Sequence, residues 1–328
     1  MSAPKLRPSL ADDGKPPGTT TWDGSVTEAG TEMRSYYGRP VIKPPVWQPE
    51  IPVYFFTGGL GGATAILSLL ARIAGDERQA RRLTFVEAGA ELVSPLLLIA
   101  DLGRPERFVN MLRVFKPTSP MSVGSWVLVA SSLSSAGAAA LELLERAPRA
   151  KLAAEIASAA LGPLMATYTA VLISNTAVPA WHEARHHLPF LFAAGSAASA
   201  GAAGVLVGPL DESGPARRLA IGGTVATLAA EQLMSTRLGM VGEPYHAGRS
   251  GWLMRGSKLL GAAGAGLLAT AGRRRPGAAV GGAALVAAGE LLLRLGVFHA
   301  GDRSARDPRF TVEPQRERAD RDGTKATT

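Results

Sequence analysis

The sequence predicts an all-α integral membrane protein, a bundle of about eight transmembrane helices with polar tails at both ends. Hydrophobic residues make up 46% of the 328 residues, and they are clumped rather than spread evenly. The clumps approach the roughly 17–25 apolar residues that a helix needs to cross about 30 Å of hydrocarbon. Several of the intervening loops are short and basic, as membrane topology favours.

Residues 1–50 are polar and rich in Pro, Gly and Thr, with Pro44-Pro45 just before Trp47. Such a segment cannot bury enough apolar surface to fold alone. No cationic start with a cleavage site precedes the first apolar segment, which therefore reads as a span rather than a signal peptide. Apolar segments then fall near 52–73, 83–101, 122–144, 152–178, 188–208, 217–238, 257–271 and 277–299. The seventh is the shortest, and Arg273-Arg274-Arg275-Pro276 separates it from the eighth as a tight turn. The expected organisation is one membrane domain over 51–300, between an irregular tail over 1–50 and a charged tail over 301–328. In that last tail Arg alternates with Asp and Glu, which reads as an extended segment or one draped over a partner. The short basic loops, around Arg72, Arg146, Arg217 and Arg273, favour the cytoplasmic side for their face.

Small-xxx-small pairs (Gly58 and Gly62, Gly261 and Ala265, Gly277 and Gly281) allow close helix approach in lipid, and read as packing alone. Cysteine is absent, which excludes an iron–sulfur cluster or c-type haem held by this chain. The five histidines, His182, His186, His187, His246 and His299, all lie outside the middles of apolar segments, which disfavours b-type haem. No metal site is expected. The net charge of +8 comes from loops and tails, consistent with anionic lipid rather than nucleic acid.

Three regions carry candidate chemistry. In the second segment Glu87, Glu91, Ser94 and Asp101 follow helical spacing, with Leu98 completing the stripe. A carboxylate within a membrane helix defaults to a functional hypothesis such as a proton relay. The structural alternative places Glu87 at the interface and pairs Glu91 with an arginine. Glu290 and Arg294 at i,i+4 read as an internal salt bridge, Glu231-Gln232 has no evident local partner, and Glu142 and Glu145 read as interfacial. In the fourth segment Pro163 frees a backbone carbonyl, and Tyr168 with Thr169 places a hydroxyl at depth. Tyr168 suits the carbonyl of a flat apolar ligand such as a quinone, or else a neighbouring carboxylate. That segment leaves the membrane through Pro179, Trp181 and His182, a polar, aromatic rim. The third region is the connector from Asp101 to Trp126, which carries Arg104, Arg107, Arg113 and Lys116 and ends in Ser119-Pro-Met-Ser122. So specific a connector at a membrane boundary points to docking or ligand binding.

The Asp101-Leu-Gly-Arg-Pro-Glu-Arg-Phe108 and Ser119-Pro-Met-Ser-Val-Gly-Ser-Trp126 motifs resemble the NrfD family, which includes the membrane subunit of polysulfide reductase. The Trp47–Tyr54 entry, Gly58-Gly-Leu-Gly-Gly62 and the tyrosine-bearing fourth segment ending in Pro179-Ala-Trp181 share the resemblance, which extends over 47–300. It implies an eight-helix, haem-free subunit in a prokaryotic cell membrane that binds menaquinone or menaquinol near one face. Electrons would pass between that quinone and a docked iron–sulfur subunit, and onward to a molybdopterin-type catalytic subunit. By the same resemblance Tyr168 donates a hydrogen bond to the quinone, and the region from Gln48 to Tyr54 supplies further polar groups, with Glu50 and Tyr54 as candidates. Arg104 joins the pocket, whereas Arg107, Arg113, Lys116 and His182 dock the partner. Glu91 and Asp101 would carry protons between the site and water. A docking subunit without its own redox site, and a proton- or solute-coupled transporter, remain the competing readings.

Overall fold

The computed structural model describes residues 41–47, 49–209 and 212–326. Among these, the chain is helical, with α1 (Glu50–Ile73), α2 (Glu77–Asp101), a short α3 (Arg107–Met111), α4 (Pro120–Leu144), α5 (Pro148–Ser174), a short α6 (Pro179–Glu183), α7 (Leu188–Val207), α8 (Gly214–Arg237), a single-turn α9 (Glu243–His246), α10 (Gly248–Ala269), α11 (Pro276–Arg306) and α12 (Arg309–Ala326). Each long helix is set by a run of Ala, Leu, Gly and Val bounded by punctuating residues. The Asp76 side chain accepts from the backbone N–H of Gln79 to cap α2, and proline opens α4, α5, α7 and α11 at N1 or N2.

The long helices form two four-helix units with the same connectivity. In the first, α1 packs on α2, α2 on α4, α4 on α5, and α5 closes back onto α1. In the second, α7, α8, α10 and α11 close the same ring, and α1 joins the units by packing on α7 and α11. Helices α1, α2, α4, α5, α7 and α11 are long and apolar enough to cross a membrane. The other two of the expected eight, α8 and α10, have comparable lengths of 24 and 22 residues but lack as long an uninterrupted apolar run. α10 starts well before the apolar stretch at 257 because its first three turns hold Arg249, Arg255 and Lys258. That polar start explains why the sequence made this segment look short.

The carboxyl end differs from an extended tail. Residues 301–306 continue α11, a helix of 31 residues, and α12 follows after a break at Asp307. Phe310 is buried at the start of α12, and Arg318 reaches Glu183 at 3.1 Å. The charge alternation therefore decorates a helix that lies beside the loops of the connector's face.

That face is pinned by α6. Trp181 is fully buried rather than part of an exposed rim: its indole N–H donates to the Val297 carbonyl at 2.8 Å, and its ring stacks on Trp47 at 5.7 Å. The Tyr245 hydroxyl donates to the Ala180 carbonyl at 3.0 Å, and the Ala180 N–H donates to the Ser304 hydroxyl at 3.2 Å. The Pro-Ala-Trp motif is thus a clasp between the end of α5 and the end of α11. Replacing Trp181 with Phe removes the indole's hydrogen bond to Val297 and leaves a void where the larger ring stood, a loss of about 1–3 kcal/mol. Thermal unfolding of the purified chain is expected to show a lower midpoint for W181F than for wild type.

Candidate functional site

An apolar slot opens where α1 begins, α2 ends, α4 begins and α5 ends. Trp47, Ile51, Tyr54, Phe55, Leu98 and Leu172 form its walls, Met111 and Met121 stand at its rim, and Asp101 and Tyr168 supply polar atoms. Its volume is about 90 Å³. The Tyr168 hydroxyl makes no hydrogen bond to any described residue, and its ring meets that of Tyr54 edge-on at 6.4 Å. A phenol held in an apolar slot without a protein partner is a donor available to a ligand.

Two local devices position this tyrosine and the slot's mouth. Gly124 has the Tyr168 ring lying directly on its Cα, and a Cβ there would collide with Cε2 and stand 2.7 Å from Cδ2. The glycine of the Ser-Val-Gly-Ser-Trp motif is therefore the seat of the Tyr168 ring. The two serines of Ser119-Pro-Met-Ser122 fold the connector. Ser119 accepts from the Ser122 N–H at 3.4 Å as the helix cap, while the Ser122 hydroxyl accepts from the Lys116 N–H and donates to the Val114 carbonyl, both at 3.0 Å. Phe115 and Trp126 close the same turn, edge to face at 6.4 Å.

The candidate residues separate into three groups. Tyr168, Tyr54 and Asp101 come together at the slot. Glu50, at the first position of α1, and Arg104, exposed in the connector, do not line it, and Gln48 lies outside the described residues. Arg107, Arg113, Lys116 and His182 are all exposed, on the loops of the slot's face. Glu91 stands apart from Asp101, since the ten residue steps from one to the other amount to about 15 Å of helix.

Glu91 is wholly buried and has no ion-pair partner among the described residues, the Ser131 hydroxyl of α4 facing its carboxylate. No arginine pairs with it. Its carboxylate rests against the α1 backbone at Gly61, where a Cβ would stand 2.8 Å from it, and the Thr64 hydroxyl lies within the same unit. Glu87 is also buried rather than interfacial, and accepts a hydrogen bond from the Ser158 hydroxyl of α5. Glu142 is buried as well. Sequence reasoning missed the roles of Gly61 and Gly124 because a glycine records only that room is needed, not what fills it.

In the second unit, Glu231 finds a partner that the sequence did not reveal, the Lys258 ammonium of α10 at 3.1 Å. The Glu290–Arg294 contact is long at 3.9 Å, and Arg294 instead donates to the Phe192 carbonyl at 2.9 Å and lies over that residue's ring. Among the described residues no group of His, Asp and Glu is arranged to hold a metal ion.

A family model described as polysulfide reductase, of the NrfD type, matches residues 33–310. The chain belongs to this family. No curated protein matches it. Membership makes this NrfD-type chain a multi-pass membrane subunit of an oxidoreductase complex. The matched region takes in the connector, the four helices around the slot, the Trp181 clasp and the last two long helices.

The Gly124–Tyr168 contact makes a specific prediction for this NrfD-type chain. Gly124→Ala forces the ring off its seat and destabilises by about 1–3 kcal/mol, the usual range for overpacking. In a Tyr168→Ala background the same change is expected to cost much less. A double-mutant cycle on unfolding midpoints checks this, with equal costs in both backgrounds refuting the contact.

Proposed function

We propose that this chain is the quinone-reactive subunit of its complex, exchanging electrons between menaquinone or menaquinol in the slot and an iron–sulfur subunit docked on the same face. That subunit would connect to a molybdopterin-type catalytic subunit. The observation that carries the reading is the Tyr168 hydroxyl, without a hydrogen bond to any described residue, in an apolar slot that Asp101 also lines. A flat, apolar ring with two carbonyl oxygens matches that pairing of walls and polar atoms. The slot is smaller than the roughly 300–1,000 Å³ of most ligand sites, so a ring enters as the flexible Met111 and Met121 side chains swing aside.

Oxidation of the bound quinol supplies two electrons and two protons, and reduction of the quinone consumes them. The chain's own groups set the conditions. Tyr168 Oη donates a hydrogen bond to a ligand oxygen, and an Asp101 carboxylate oxygen accepts one from a ligand hydroxyl. Trp47, Ile51, Phe55 and Leu98 exclude water from the slot. Arg104, Arg107, Arg113, Lys116 and His182 give this face an exposed cationic surface for an electron-transfer partner, with Arg104 and Glu50 flanking the entrance. Glu91 moves protons for the site, reached from the slot through the Thr57 and Ser94 hydroxyls, which lie 2.8 Å apart.

Binding of a fluorescent quinol-analogue inhibitor to the purified chain in nanodiscs tests the reading. Saturable one-site binding is expected, and Tyr168→Phe is expected to weaken it by about 1 kcal/mol, roughly fivefold in Kd. Absence of saturable binding to folded chain, with and without the partner subunit, would leave a docking subunit without a site of its own. Glu91→Gln is expected to leave this binding unchanged and to slow quinol turnover by the assembled complex.

A further inference from the structure

A second cavity opens on the face opposite the slot, at the seam between the two four-helix units. The last turns of α1 supply Leu67 and Leu70, the first turn of α2 supplies Gln79, and the start of α8 supplies Arg218 and Leu219. Because α1 ends there while α2 and α8 begin, the cavity lies at a membrane boundary. Its volume is about 450 Å³, within the roughly 300–1,000 Å³ of most ligand sites. Its polar groups are of two kinds. The first are acceptors. Gln79 is 4% exposed, and its Nε2 donates to the Gly204 carbonyl at 2.8 Å, which fixes the orientation of the amide. That leaves Gln79 Oε1 buried without a donor among the described residues. Glu212 Oε2 is likewise buried without a hydrogen bond, while its Oε1 lies 3.7 Å from Arg78. The second kind are cations at the mouth. Arg78 and Arg218 are both exposed, and Arg218 turns back over the first residue of α8, its Nη1 3.7 Å from where a Gly214 Cβ would stand. The amino end of that 24-residue helix adds its own partial positive charge.

We propose that this cavity binds one phospholipid whose headgroup carries both a phosphate and a primary ammonium, of the phosphatidylethanolamine class. A buried acceptor left without a donor is costly, and two on one cavity call for a ligand that donates. The ammonium has three N–H groups and gives one to Gln79 Oε1 and another to Glu212 Oε2. The phosphate lies between the Arg218 guanidinium and the amino end of α8, where anions are favoured. An acyl chain follows the Leu67, Leu70 and Leu219 wall into the bilayer. A choline headgroup has no N–H to give and leaves both acceptors bare. A glycerol headgroup offers hydroxyls, but the carboxylates of Asp76 and Glu212 on the same lining favour an ammonium over a neutral donor. Bound in this way, the lipid joins α1 and α2 of the first unit to α8 of the second. The inference is independent of the quinone reading.

The purified, delipidated full chain is titrated in detergent with phosphatidylethanolamine, phosphatidylglycerol and phosphatidylcholine of the same acyl chains, and retained lipid is counted by native mass spectrometry. One phosphatidylethanolamine is expected to be held several-fold more tightly than either of the others, and to raise the thermal midpoint more. Leu219→Trp, which fills the apolar wall, is expected to abolish that preference. Glu212→Ala, at a half-buried position, is expected to reduce it several-fold. Midpoints measured without lipid report folding, and Glu212→Ala decides the matter should Leu219→Trp fail to fold. Equal retention of the three lipids would overturn the proposal, as would a preference for phosphatidylglycerol or an undiminished preference in the folded variants.

Discussion

The backbone of α1 is the surface on which the rest of this bundle is arranged. It packs on α2 and α5 within its own unit and on α7 and α11 of the other. Side chains of ordinary size along it would hold those helices apart. Gly58, Gly59, Gly61 and Gly62 are all buried there, so neighbouring groups come to rest on main chain. In lipid, where water cannot drive apolar faces together, association depends on such close packing. The Glu91 carboxylate therefore lies against α1 with no side chain of α1 at that contact to neutralise it.

Much of the architecture is legible in the residue order because the bilayer demands long apolar runs. Even so, two bundle helices, α8 and α10, lack such a run: one carries Glu231, the other the Lys258 that pairs with it. A pair between two helices is invisible to a reading that inspects one segment at a time. The same limit explains Trp181, whose aromatic–proline surroundings suggest an interface although long-range hydrogen bonding buries it. Tyr168 is legible as a hydroxyl at depth in its segment, Tyr54 only through the family resemblance, and Asp101 through helical spacing as a proton relay; the three line one slot. Local spacing could not bring Glu155 and Arg72 to the same cluster, since they come from different helices.

The two ends of the first unit differ in kind. One end is apolar, aromatic and bordered by exposed cations. The other is a dense ionic patch in which Arg72 serves three carboxylates. Between them Ser94, Glu91, Glu87, Ser158 and Glu155 are all buried.

The final helix has an attachment of mixed strength. Phe310 buries its first turn, and Arg309 reaches Glu243 at 2.5 Å, but further along the Arg318–Glu183 pair joins an exposed arginine to a half-buried glutamate. Pairs of that sort contribute little and are screened by salt, whereas the buried phenylalanine is indifferent to it. The ionic strength of a preparation therefore acts on the two ends of α12 unequally. High salt loosens the distal turns from α6 while the first turn stays seated, widening the cleft between them that Gln315 and Thr311 line.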